Sequence, residues 1–108
     1  MTSTDSHTRS LAQAAALLDA VARGSEQAVD FEVPLRCGQA ANRLYALLGH
    51  TLTDVPLVGD DAEEIATAAA EAIILLSSLP HDALTDPVLD ALLEARTARD
   101  IAQRAVVR

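Results

Sequence analysis

Leu11, Ala14, Ala15, Leu18, Val21 and Ala22 recur at helical spacing and make one narrow apolar stripe. Ser10 followed by Gln13 fits a capping box, in which hydroxyl and amide each satisfy a backbone N–H left unpaired at a helix start. Gly24 is suited to turning left-handed after the last turn. A first helix is therefore predicted from Ser10 to about Arg23, behind a flexible polar tail at residues 1–9. Next, Val29, Phe31, Val33 and Leu35 alternate with polar residues at strand period. One short run without a partner strand is not stable by itself. The expectation is an extended connection that lays Phe31 across the interior, with Pro34 in the first turn of the helix that follows; an edge strand paired across a dimer is the alternative.

Residues 34–51 read as a second helix. Cys37, Ala41, Leu44, Tyr45, Leu48 and Leu52 fall on one side, and Arg36, Gln39, Arg43 and His50 lie roughly opposite. After the turn-rich stretch TDVPLVGDD, Asp61 and Glu64 give a second capping pattern, with acids where the helix dipole favours them. The third helix runs to about Leu79 and is stopped by Pro80. Ile65, Ala69, Ala72, Ile73 and Leu76 form its core face, but Ala66, Ala68, Ala70, Ile74 and Leu75 make much of the remainder apolar as well. A helix apolar nearly all round needs cover on more than one side. A fourth helix opens at Asp86 and Pro87 with Val88, Leu92, Ala95, Ala102 and Val106 as its stripe, and Ala98, Ile101 and Ala105 as a second row. Short connections between four helices predict an all-α, antiparallel four-helix bundle in one domain, residues 10–108. The surplus apolar surface predicts self-association through Ala66, Ala70, Ile74, Leu75, Ile101 and Ala105.

Composition supports this class. Half the residues are apolar, yet Phe31 and Tyr45 are the only aromatic ones, so Ala, Leu, Val and Ile must build the interior. Cys37 is the sole cysteine, which rules out an internal disulfide. The opening MTSTDSHTRS lacks a basic flank followed by an apolar stretch, and the longest apolar run, AAAEAIILL, is too short to span a bilayer. A cytoplasmic protein is expected. Alanine-rich, lysine-free composition suggests a GC-rich bacterial genome or one of its phages.

The net charge of -8 repels phosphate backbones and anionic lipid, so the expected partner is a protein, a second copy of the chain included, and neither a membrane nor nucleic acid. Charge is also unevenly placed. Residues 54–94 hold ten acids and no Arg or Lys, while residues 95–108 hold four arginines and one acid, an asymmetry able to steer two copies together. Glu71 and Arg99 are the charges set closest to apolar stripes, and they are expected to form an ion pair.

Chemistry is sparse. His7 lies in the polar N-terminus and His81 in the loop LPHDALTDP, neither beside a nucleophile, and no phosphate loop, nucleophile elbow or paired-cysteine pattern occurs. Glu-x-x-His pairs for a metal bundle are missing, as are the basic and glycine residues that follow the histidine of a phosphotransfer bundle, so no metal and no cofactor is expected. Arg36, Arg43 and His50 form a basic row at seven-residue spacing that could bind an anion or an acidic partner. Within it, Arg43 and His50 stand at an Arg-x6-His spacing that resembles the HEPN ribonucleases; the chain departs from that pattern at Leu44, where the family carries a polar residue. The resemblance implies an arginine holding phosphate and a histidine moving a proton. The expected role is a small interaction or regulatory module, such as an adaptor, an inhibitor or an antitoxin-like or phage effector, rather than an enzyme. An anion-binding or ribonuclease bundle and a structural subunit of a larger assembly are the other readings.

Overall fold

The computed structural model describes residues 3–24, 31–49, 58 and 61–107. It is an all-α four-helix bundle: α1 (Ser3–Gly24), α2 (Glu32–Leu48), α3 (Ala62–Ser77) and α4 (Asp86–Val107), with a single 3-10 turn at His81–Ala83. α1 packs on α2, α2 on α4, α4 on α3 and α3 back on α1. The helices thus form a ring in which α2 and α3, consecutive in sequence, stand on a diagonal.

Local chemistry explains most of the boundaries. At the head of α3, Asp61 is in extended conformation and its carboxylate accepts the Glu63 N–H at 3.2 Å. Pro80 follows the end of α3, where the Ser78 hydroxyl donates to the Ile74 carbonyl at 2.7 Å. α4 opens at Asp86 with Pro87 in its first turn, where a missing N–H costs nothing.

Four expectations are corrected. α1 begins at Ser3, not Ser10, because residues 3–9 contain no glycine or proline to stop the helix propagating back from Leu11. α2 begins at Glu32, so Val33 and Leu35 are helical, and no strand occurs among the described residues. Phe31 does not cross the interior: it is 75 % exposed, one turn before the exposed Leu35 on the outer side of α2. Finally, α2 ends at Leu48, since Gly49 adopts φ 84°, a left-handed conformation costly for any residue with a Cβ, and its N–H closes on the Tyr45 carbonyl at 2.8 Å. Val29, Leu52 and His50 lie outside the described residues.

The interior is built from short side chains. Leu18, Leu44, Ile65 and Leu76 are its largest fully buried members, and between them pack Ala14, Ala15, Ala40, Ala69, Ala72, Ala91, Ala95, Ala98 and Ala102, each without exposed surface. Alanine at the contact positions lets helix axes approach closely. Asp19 links α1 and α2: its carboxylate accepts the Tyr45 hydroxyl at 2.8 Å and the Nε and Nη2 donors of Arg23, each at 3.0 Å. Tyr45 is thereby buried with its hydroxyl satisfied. Val106, expected in the stripe of α4, is 44 % exposed in the last turn of that helix.

Candidate interaction surface

Both arginines of the basic row already meet carboxylates. Arg36 donates to Glu32, one turn back on α2, at 2.7 Å. Arg43 reaches across to α4, 3.5 Å from Glu94 and 3.9 Å from Asp90. With two acids beside it, Arg43 acts as a counter-ion between helices, and a phosphate would have to displace them. His50, the third member of the row and the proposed proton carrier of the Arg43–His50 pair, is outside the described residues.

Behind Arg43 lies a buried polar step. The Glu94 side chain is 15 % exposed, and its Oε2 is buried with no hydrogen-bond partner among the described residues. Cys37 is nearby and fully buried, and its thiol is pushed up from 9.0 to about 12, chiefly by burial and further by the negative charge of Glu94. Folding therefore favours the protonated thiol. That contribution is complete below pH 9, where the unfolded thiol is also protonated, and is lost as the pH rises from 9 towards 12. Cys37 in the native protein is expected to resist thiol reagents at mildly alkaline pH and to react at once in urea. A native thiol reacting at the rate of free cysteine would contradict this placement.

The expected Glu71–Arg99 pair does not form. Arg99 bonds instead to its neighbour Asp100 at 3.2 and 3.4 Å. Glu71 is exposed and lines a groove between α3 and α1, on the flank of α3 turned away from α4, so the two groups face different neighbours. A helix apolar on several sides places its charges by flank, and linear spacing does not reveal which flank meets which helix.

The six positions expected at an interface separate into three groups. Ala66 is 7 % exposed and belongs to the core of the single chain, because the α4-facing flank of α3 is covered within the ring. Ala70, Leu75, Ile101 and Ala105 are half-buried, with Leu75 and Ile101 packed against the core edge. Ile74 is 63 % exposed. It stands in a groove of about 480 Å³ lined by Gln13, Ala16, Leu17, Glu71, Ile74 and Leu75, along the seam of α1 and α3. A second groove of about 490 Å³ continues from the shared Leu17 and Glu71 and adds Asp61, Glu63, Glu64 and Thr67. The surface is thus an apolar trough that becomes acidic towards the start of α3. Leu17 was not expected there; its place immediately beside Leu18, off the stripe of the first helix, is the sequence feature that marks it.

No described helix is long and apolar enough to cross a membrane, and no group of three or more His, Cys, Asp or Glu among the described residues is placed to hold a metal ion. Compared with protein families, with curated proteins and with solved structures, the chain matches none of them.

Proposed function

We propose that the protein is a cytoplasmic interaction module whose α1–α3 trough receives an amphipathic helix carrying basic residues beside its apolar stripe. The observation that carries this reading is Ile74, a large aliphatic side chain 63 % exposed in a concave, apolar seam. Contiguous exposed apolar surface rimmed by charge is characteristic of a binding face, whereas scattered exposed aliphatics are ordinary. The rim sets the partner's chemistry: Glu63, Glu64 and Glu71 make no ion pair among the described residues, so an incoming arginine or lysine would meet uncompensated carboxylates. Helix-in-groove recognition then supplies affinity through apolar anchors and selectivity through the rim. A single buried thiol suits a reducing compartment. The anion-binding alternative draws no support from Arg43, which is held by Asp90 and Glu94.

The test is an anisotropy titration with a labelled helical peptide bearing leucines at i, i+4 spacing flanked by arginines. The parent protein is expected to bind it with an affinity that falls as salt rises. Ile74→Glu should weaken binding by about tenfold or more, since it places a charge where the peptide's apolar stripe must sit. Equal binding by parent and variant would remove the trough from consideration.

A further inference from the structure

Phe31 is the most exposed large apolar side chain of the described bundle, at 75 %, and Leu35, one turn on, is 51 % exposed. With Gly38, Asn42 and Ala46 they form a row on the outer side of α2, confined to about 80° of the helix circumference. Asn42 and Ala46 are exposed as well. Two properties set this row apart. It contains no charged residue in a chain of net charge -8, and the carboxylates along its edges are already compensated: Glu32 by Arg36, Asp19 by Arg23, and Asp90 and Glu94 by Arg43. The row is also graded in size, with Phe31 and Leu35 at the start of α2 and the smaller Gly38, Asn42 and Ala46 following.

We infer that this row is a self-association surface, on which α2 of a second copy lies antiparallel about a two-fold axis passing beside Cys37 and Gly38. Phe31 of each copy then enters the gap between the partner's Asn42 and Ala46, and Leu35 the gap between the partner's Gly38 and Asn42. The large half of one row fills the small half of the other, twice over. A row graded from large to small side chains is complemented by its own antiparallel copy, as an isologous interface requires. A parallel copy would set Phe31 on Phe31 and leave a gap at Ala46. Charge favours the same occupant, because two copies of an acidic protein repel least where the facing surface is uncharged and its bordering acids are held by arginines. The α1–α3 trough, where Glu63, Glu64 and Glu71 make no ion pair among the described residues, suits a basic partner and not a second copy. The two surfaces are separate, and this one does not depend on what the trough receives.

Sedimentation across a wide range of protein concentration tests the surface, with circular dichroism to confirm that each variant is folded. The parent should self-associate; a parent monomeric at every concentration overturns the inference. Leu35→Glu and, separately, Phe31→Ser replace exposed side chains, so neither removes a core residue, and each should weaken association by about tenfold or more. Ile74→Glu should leave association unchanged. Association untouched by Leu35→Glu and Phe31→Ser, or lost with Ile74→Glu, would place the interface elsewhere. Single added cysteines test the direction, since Cys37 is buried. Gln39→Cys, beside the two-fold axis, should form a disulfide between copies under mild oxidation, whereas Ala46→Cys, about 25 Å from its counterpart along the paired helices, should not. Failure of Gln39→Cys to cross-link, or cross-linking at Ala46→Cys, would overturn the antiparallel register.

Discussion

Leu44→Ala lowers the free energy of unfolding by about 3 to 4 kcal/mol, measured by urea denaturation with an unchanged slope. Leu44 has no exposed surface and is among the largest fully buried side chains. The cost is high because of what surrounds it. Ala40 and Ala41 lie one turn back on α2, and much of the buried core is alanine, which has no rotamer with which to reach into a vacated space. The cavity therefore persists, and the lost dispersion contacts add to the lost transfer energy. For a domain of this size such a loss is a large part of a total of about 5 to 15 kcal/mol, and it should lower Tm by roughly 15 to 25 °C. Leu47→Ala, one turn on but 44 % exposed, should lose only about 0.5 kcal/mol. Equal losses at the two positions would show that the core face of α2 has been misassigned.

Arg43→Met is expected to destabilise the bundle by about 1 to 2 kcal/mol, more than a typical surface ion pair. The Arg43 side chain is itself 44 % exposed, which limits the effect through solvent screening; the cost arises at Glu94, whose carboxylate is mostly buried beside the apolar Cys37. Without its counter-ion, Glu94 is a charge held among apolar groups with Oε2 already unpartnered. Glu94→Gln should therefore be milder in the Arg43→Met background than in the parent. A double-mutant cycle over the four proteins should give a coupling of about 1 kcal/mol. Strict additivity would mean that Arg43 and Glu94 do not sense each other.

The helices and their buried faces were largely legible in the sequence, because they follow from local chemistry. Asp61 caps α3 and Pro80 follows its end, Asp86 and Pro87 open α4, and the Leu11-to-Ala22 stripe is the inner face of α1. Where two periods coincide, the pattern misled. Val29, Phe31, Val33 and Leu35 satisfy a strand period, but Phe31 and Leu35, like Val33 and Cys37, also satisfy a helical one, and from Glu32 onwards the helix prevails, with no second strand among the described residues to take up the hydrogen bonds. Charge pairing was the least legible property. Arg43 finds acids on α4 and Glu71 finds no arginine among the described residues, outcomes decided by the order of helices around the ring, which no local spacing encodes. Of the interaction surface, Ile74 was readable as surplus apolar area on α3, whereas the concavity formed with Leu17 required the α1–α3 seam.

The ring order also shapes how the chain assembles. Its first half closes α1 on α2 through short-range contacts, secured by Tyr45 and Asp19, and its second half closes α3 on α4. Neither pairing waits for a distant segment, so each half forms over a low entropic barrier. The two remaining seams, α2 on α4 and α1 on α3, are the surfaces along which finished halves meet. One is locked by Arg43 with Glu94, while the other carries the open trough. The proposed binding face thus lies on a seam between the two halves of the chain, and ligation there would hold them together.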